Sequence, residues 1–350
     1  MSRVLDEIQL DFCDVLFQPK RTTLNSRNEA DVLREYKFKY YPNTITSCGI
    51  IASNMATTGT IKMYNSLSSY GAITCLHKHY STKELEQAFY YTNRNRFSYV
   101  FASTGLKDDK EKLFDILHLT DIDKVCVDIA NGYIPKLLDF VKELRERFPR
   151  ILIMAGNVVT GDMVQDLIMA GADLVKINIG NGSVCTTRLK TGVGRPTIST
   201  ILECADAAHG VGGMICSDGG CTCPGDVAKA FGAGADFVML GGMLAGSDEA
   251  SGELASIDGK SYKQFYGMSS KKAQEECFGG MKEYRTSEGR EKLIPYTGPV
   301  SNTMDDILGG LRSTMTYIGA KKLKDIPKCT TFYRVNRQLN TVFERMEDIK

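Results

Sequence analysis

Ala170-Gly171-Ala172-Asp173-Leu174-Val175-Lys176-Ile177-Asn178-Ile179 joins the end of a helix to the start of a buried strand. Glycine fits the left-handed turn that ends a helix, because it carries no β-carbon to strain there. The apolar run after it reads as a strand covered on both sides, with a polar position on each face. The same junction recurs as Tyr70-Gly71-Ala72 and Ala233-Gly234-Ala235-Asp236. A repeated helix-to-strand unit is the signature of an α/β chain with a parallel sheet.

Outward from this stretch, near-continuous apolar runs lie at 49–53, 72–77, 99–103, 124–128, 151–155, 174–179, 213–217 and 237–241. Helical spacing appears between them, as at Leu137, Leu138, Val141, Leu144 and Phe148. Thr160 stands as a hydroxyl cap before Gly161-Asp162-Met163, and residues 303–312 fit an eighth helix. Strand starts fall about 23 to 27 residues apart, except for one step of about 39. Eight such units match a (β/α)8 TIM barrel, an architecture of about 250 residues with room for insertions. A doubly wound open sheet is the alternative. Eight units without a break favour closure, with residues 1–350 as a single catalytic barrel domain and no regulatory insertion.

The long step follows strand six, and a second insertion, residues 244–299, follows strand eight. Barrel active sites are built from the loops after the strands, so both irregularities fall where chemistry is expected. Composition narrows the class further. A net charge of +1 gives no general attraction to nucleic acid or to an anionic membrane. The 11 cysteines lack framework spacing and several sit in apolar runs, which reads as reduced thiols in a cytoplasmic protein. The amino terminus has no signal-peptide core, and no apolar run reaches membrane-spanning length.

Gly180-Asn181-Gly182-Ser183-Val184-Cys185-Thr186-Thr187-Arg188 fills the loop after strand six. Its glycines allow close backbone approach, and a cysteine among hydroxyls and an arginine suggests an activated thiolate. A glycine loop with an incidental cysteine is the plainer reading. A nucleophilic thiol needs its pKa brought down from about 8.5, which Arg188 and a nearby cation could do. Thr187 could relay a proton if a base such as Glu288 activated it. Ser217-Asp218-Gly219-Gly220 and Gly241-Gly242 end strands seven and eight, the usual phosphate cradle of barrels. Asp218 suits ribose hydroxyls, so a phosphorylated ribose is a coherent ligand. His77-Lys78-His79 could hint at a metal, but alternating strand residues face opposite ways. Cys221-Thr222-Cys223 lacks the second half of a zinc site.

Taken in order, these motifs resemble the inosine monophosphate dehydrogenase and guanosine monophosphate reductase family. The cysteine loop, Ser217–Gly220, Met239-Leu240-Gly241-Gly242, Tyr266-Gly267-Met268-Ser269-Ser270 and Ser287-Glu288-Gly289 all match. Phe12, Asp14, Val15 and Leu16 at one end and Arg312–Tyr317 at the other extend the likeness across essentially the whole chain. Two features favour the reductase branch. No regulatory insertion follows strand two, and the flap from Gly267 to Glu288 is short, with a reversed Tyr284-Arg285 pair where dehydrogenases carry Arg-Tyr.

The resemblance implies that Cys185 attacks C2 of GMP, that Thr187 and Glu288 help ammonia leave, and that NADPH reduces the thioimidate to release IMP. It carries GMP contacts to Ser183, Asp218, Gly219, Gly220, Gly241, Gly242, Gly267, Met268, Ser269, Arg285, Thr286, Ser287 and Gly289. Cofactor contacts carry to Lys78, Asp128, Ile129, Ala130, Gly180, Tyr284 and Arg285, with Ser26, Arg27, Ser313, Thr314, Met315 and Thr316 reaching a neighbour's cofactor in a homotetramer. Lys78 and Arg27 suit a 2′-phosphate. Potassium would be held at Gly180, Gly182 and Cys185, with Arg188 nearby. A dehydrogenase without regulatory modules and a nucleotide-binding protein without turnover are the rival readings.

Overall fold

The junction glycines set the frame. Gly71, Gly171 and Gly234 have φ of 65°, 120° and 112°, and each ends a helix directly before a strand. The computed structural model describes residues 3–89, 99–106, 110–268, 270 and 289–336. Its central strands are Ile50–Ala52, Ile73–Leu76, Val100–Thr104, Lys124–Asp128, Leu152–Val158, Leu174–Ile177, Met214–Asp218 and Phe237–Leu240. These eight close into a parallel barrel, so the (β/α)8 expectation holds and the open sheet falls away. Closure pairs the eighth strand with the first, Val238 opposite Ile50 and Leu240 opposite Ala52.

Alternation along each strand divides the core in two. Ile51, Ile73, Cys75, Phe101, Cys126, Leu152, Met154, Leu174, Cys216 and Met239 fill the barrel itself. Their neighbours Ile50, Ala52, Val125, Ile153, Val175 and Ile177 pack outward against the helices. A hairpin of Arg34–Lys37 and Thr44–Ser47, which belongs to the segment before the first barrel strand, joins the inner cluster through Tyr36 and Ile45. Tyr36 stacks on Phe237 at 4.2 Å and donates its hydroxyl to the Asp236 carbonyl at 2.9 Å.

Two sequence expectations need correction. Thr160 does precede the helix Gly161–Met169, but its side chain makes no capping bond and instead pairs with the Tyr133 hydroxyl at 3.0 Å. The last barrel helix is Val300–Ile318, longer at both ends than residues 303–312. Val300, Met304, Ile307, Leu308, Leu311, Met315 and Ile318 form one buried stripe along it, and Gly319 in a left-handed conformation ends it. The insertion after strand eight is built on an antiparallel sheet of Leu254–Ile257, Lys260–Tyr266 and Glu291–Pro295. Buried Lys263 anchors that sheet by donating to the carbonyls of Ser247 and Ala250 at 2.8 and 2.5 Å.

The aspartates of the repeated junction are structural. Asp173 accepts from the backbone N–H groups of Tyr40, Tyr41 and Ile153 and pairs with Arg145 at 2.7 Å. Asp236 accepts from Ile215 N–H and pairs with Arg34 at 3.0 Å and with His209 Nε2 at 2.8 Å. The bond to Asp236 raises the His209 pKa against the opposing effect of burial. A histidine raised above its unfolded value of about 6.5 contributes stability that is fully present below that pH and is lost as pH rises through the folded value. The stability advantage of wild type over His209→Gln should therefore be largest below about pH 6 and shrink toward alkaline pH. Thermal melts at constant ionic strength measure it, and an advantage that grew with pH would contradict the pairing.

Candidate active site

Lys176 shares the parity of Leu174 on strand six, so it faces the inside of the barrel near the strand's carboxyl end. Asn178 lies just beyond Ile177, the last residue of that strand, so alternation does not set its side. Lys176 is 3% exposed, which means its ammonium has to be paired inside the protein. It lies 2.8 Å from Asp128 Oδ1 at the end of strand four and 3.0 Å from Asp218 Oδ2 at the end of strand seven. Asn54 Nδ2 donates to Asp128 Oδ2 at 2.8 Å, and Asn157 Nδ2 donates to Asp218 Oδ2 at 2.9 Å. Burial opposes charge on Lys176, but the two carboxylates outweigh it and hold its pKa well above the lysine value. Burial likewise opposes charge on Asp128, while Lys176 and Asn54 bring its pKa below the usual carboxylate range.

Asn178 takes an unusual φ of 88° and donates to Ser217 Oγ and the Asp218 carbonyl at 3.1 and 3.3 Å. The Oδ1 atoms of Asn157 and Asn178 are buried without a partner among the described residues. They are acceptors left over for a ligand's N–H or O–H groups. Residue types alone did not single out Asn54, Asn157, Lys176 or Asn178. Parity with Leu174 along strand six is the signal that finds Lys176.

The cysteine loop lies above this polar floor. Cys185 is half-buried, its N–H donates to the Gly182 carbonyl at 3.0 Å, and its thiol donates to Thr187 Oγ1 at 3.2 Å. Among the described residues every cysteine is free. A β-bridge joins Cys185 to Gly289, and Arg290 ties down the same edge through its N–H to the Val184 carbonyl and its guanidinium to the Ser183 carbonyl. The end of the flap is thereby stapled to the cysteine loop. Ser269, Tyr284, Arg285, Thr286, Ser287 and Glu288 lie outside the described residues.

Arg188 is bonded within the loop. Its Nη2 donates to Asn181 Oδ1 at 2.7 Å and to the Arg195 carbonyl at 2.6 Å, so the guanidinium frames the loop. It also lines a cavity of about 370 Å³ with Asp11, Gly180, Asn181 and Gly220.

The glycine pairs make a cradle beside the thiol. At Gly219, φ is 80° and a β-carbon would sit 3.3 Å from the Gly182 backbone. A β-carbon on Gly242 would lie 2.8 Å from Ser183 Oγ, and one on Gly267 would lie 3.1 Å from Gly289 Cα. Gly241 adjoins Ser53 and Met55, and Met268 Sδ accepts from Ala56 N–H at 3.3 Å. Ser183, Gly219, Gly242, Gly267 and Gly289 are therefore brought together around Cys185.

Ile129 and Ala130 follow Asp128 off strand four, with exposure increasing along the segment. Strand two stops at Leu76, so the alternation argument fails at 77–79. There His77 Nδ1 accepts from His79 N–H at 3.3 Å, the two ring centroids are 5.7 Å apart, and His77 stacks on Tyr80. Burial brings the His77 pKa down to about 4. Ser26 and Arg27 begin the turn that packs against the helix Val300–Ile318, which also carries Ser313, Thr314, Met315 and Thr316. Met315 is buried in the core, and the other three are half-buried.

Residues 9–341 match the IMP dehydrogenase / GMP reductase domain. The chain belongs to this family. It is 52% identical over 345 residues to GMP reductase 2 of Homo sapiens, covering 98% of this chain and 99% of that one. A GMP reductase of Vibrio cholerae is 52% identical over 345 residues, with the same coverage. A GMP reductase of Tolumonas auensis is 53% identical over 343 residues, covering 97% and 99%. Among the described residues no helix is long and apolar enough to cross a membrane. In this family member the close packing of loops six and seven is directly testable. Gly219→Ala places a side chain at positive φ against the Gly182 backbone and should cost about 1–2 kcal/mol. Denaturant unfolding measures it, and an unchanged midpoint would contradict the described contact.

Proposed function

We propose that this protein is a GMP reductase, converting GMP and NADPH to IMP, ammonia and NADP⁺ through a covalent bond between Cys185 and purine C2. The observation that carries the reading is a single arrangement: the Cys185 thiol bonded to Thr187, bridged to Gly289, and set in a glycine cradle. The chain's near-complete alignment with GMP reductases supports it.

Cys185 Sγ adds to C2. Thr187, with Glu288 as its carboxylate partner, delivers the proton that lets the C2 amino group depart as ammonia. C2 then accepts a hydride, which is the chemistry NADPH supplies when bound. The S–C2 bond breaks, Cys185 regains its electron pair, and IMP leaves. Splitting the replacement of amine by hydride in two lowers each barrier.

Asp218 takes the ribose hydroxyls, and Ser183 with the pairs Gly219-Gly220 and Gly241-Gly242 takes the phosphate. Gly267, Met268 and Ser269, with Arg285–Ser287 and Gly289, complete the nucleotide site. Lys78 and Asp128–Ala130 face the cofactor together with Gly180 and the Tyr284-Arg285 pair. The unpartnered oxygens of Asn157 and Asn178 fit a donor-bearing ligand on this floor.

For potassium, the backbone carbonyls of Gly180, Gly182 and Cys185 are suitable hard donors. A guanidinium has no lone pair to give, so Arg188 would contribute only its carbonyl, which already accepts Gly192 N–H at 3.1 Å. The whole chain acts as one catalytic domain in a cytoplasmic homotetramer. There Ser26, Arg27 and Ser313–Thr316 of one subunit reach the cofactor of another, with no nucleic-acid or membrane partner.

A spectrophotometric assay tests the reading. NADPH is expected to be consumed with GMP, releasing ammonia, whereas NAD reduction with IMP would point to a dehydrogenase and GMP binding without either reaction to a non-enzyme. Cys185→Ala should bind GMP yet lose at least about 10³-fold in turnover. Near-normal turnover by that variant would rule out the covalent route. Replacing potassium by tetramethylammonium in the same assay should slow turnover, and an unchanged rate would remove the cation from the scheme.

A further inference from the structure

Of the charged groups at the carboxyl ends of the barrel strands, Lys176 has no role in the reaction as set out above. We propose that Lys176 is a positioning residue whose buried ammonium fixes Asp128 and Asp218 relative to one another. The carboxylate facing the cofactor and the carboxylate facing the ribose are thus set by one shared charge. The inference rests on reading the site as one for GMP and NADPH.

Three observations support it. First, the ammonium touches both carboxylates, at 2.8 and 3.0 Å, although they belong to strands four and seven, which are not neighbours in the barrel. Second, the backbone that carries it is fixed. Gly156 on strand five lies opposite Lys176, and a β-carbon there would be 2.2 Å from the Lys176 carbonyl and 2.7 Å from its Cβ, so only glycine lets the two strands meet at this point. Third, the remaining bonds hold the carboxylates without using them up. Asn54 takes Asp128 Oδ2, while Lys176 and Asn157 both bind Asp218 Oδ2 and, among the described residues, leave Oδ1 out of the network.

Stability alone does not account for this arrangement. A lysine is among the costliest residues to bury, and well-packed apolar side chains commonly replace buried ion pairs without loss. A charge shared between two ligand-facing carboxylates has a further consequence: a change at either carboxylate is felt at the other, and such coupling is reciprocal.

Lys176→Met, Lys176→Arg and Asp128→Asn test this in the full-length enzyme. GMP dissociation constants come from calorimetry without cofactor, NADPH KM and kcat from steady-state kinetics, and folding from thermal melts. Lys176→Met is expected to raise both the GMP Kd and the NADPH KM by about tenfold or more, with a smaller fall in kcat. Lys176→Arg should recover most of both, because it keeps the charge. Asp128→Asn should weaken GMP binding severalfold, although Asp128 is assigned to the cofactor side. A folded Lys176→Met that binds both ligands normally, or loses only one, overturns the proposal, as does an arginine variant no better than methionine. If Lys176→Met fails to fold, Asp128→Asn decides, and an unchanged GMP Kd overturns the proposal. Wild-type turnover of GMP with NADPH is measured alongside. Its absence defeats the reading of the site and this inference with it, whereas normal turnover with unaffected variants defeats only the role of Lys176.

Discussion

Pairing of the eighth barrel strand with the first is the contact on which the rest of the molecule depends. Only a few residues take part, with Val238, Met239 and Leu240 opposite Ile50, Ile51 and Ala52. Once that ladder closes, all eight strands share one direction and their following loops gather at one end. The cysteine loop after strand six, the glycine pairs after strands seven and eight, and Asp128 on strand four then meet without any long-range instruction in the sequence. Closure also creates an inside. Residues of one parity fill it with Ile, Leu, Phe, Cys and Met, and at the carboxyl end the same parity delivers Lys176.

That inside tolerates charge because the charge is fully answered. One ammonium meets two carboxylates, the Asn54 amide holds the second oxygen of Asp128, and the Asn157 amide shares Asp218 Oδ2 with the lysine. Leaving the buried Lys176 ammonium unpaired would carry a penalty of about 3–5 kcal/mol, a large share of the stability of an ordinary domain. The two amide oxygens left over on Asn157 and Asn178 are therefore informative, since a well-packed interior rarely leaves such atoms without a partner.

Much of this was legible in the sequence. The junction glycines gave the strand starts to within a few residues, since a left-handed helix end leaves few alternatives to glycine. The motif order placed the cysteine loop and the glycine pairs, and the structure brings Ser183, Gly219, Gly242, Gly267 and Gly289 together. The hairpin of Arg34–Lys37 and Thr44–Ser47 was not legible, because its strands are too short to show a period and its tyrosines resemble any polar lead-in. The polar floor was missed for a different reason. Lys176 is hidden in an apolar run, and Asn178 falls just past the strand's end at Ile177, where alternation no longer applies. His77 and His79 show the converse limit, because the strand ends at Leu76 and alternation says nothing beyond it.

The two halves of the site are built by different means. The charged core of the floor, Asp128, Lys176 and Asp218, is fixed on barrel strands, where neighbouring backbone ladders leave little room to shift. The cysteine loop is held from its edges instead, by the Gly289 bridge, by Arg290 on the Ser183 carbonyl and by Arg188 on Asn181. Those bonds leave the Cys185 side chain with Thr187 as its described hydrogen-bond partner, a neutral group able to take or give a proton. Covalent catalysis calls for both properties. In the proposed reaction the nucleotide and cofactor need a base that does not move as charge is redistributed, and Cys185 needs a mount that can adjust as its bond to carbon forms and breaks. Strand-borne charges below a loop-borne thiol provide that separation within one barrel.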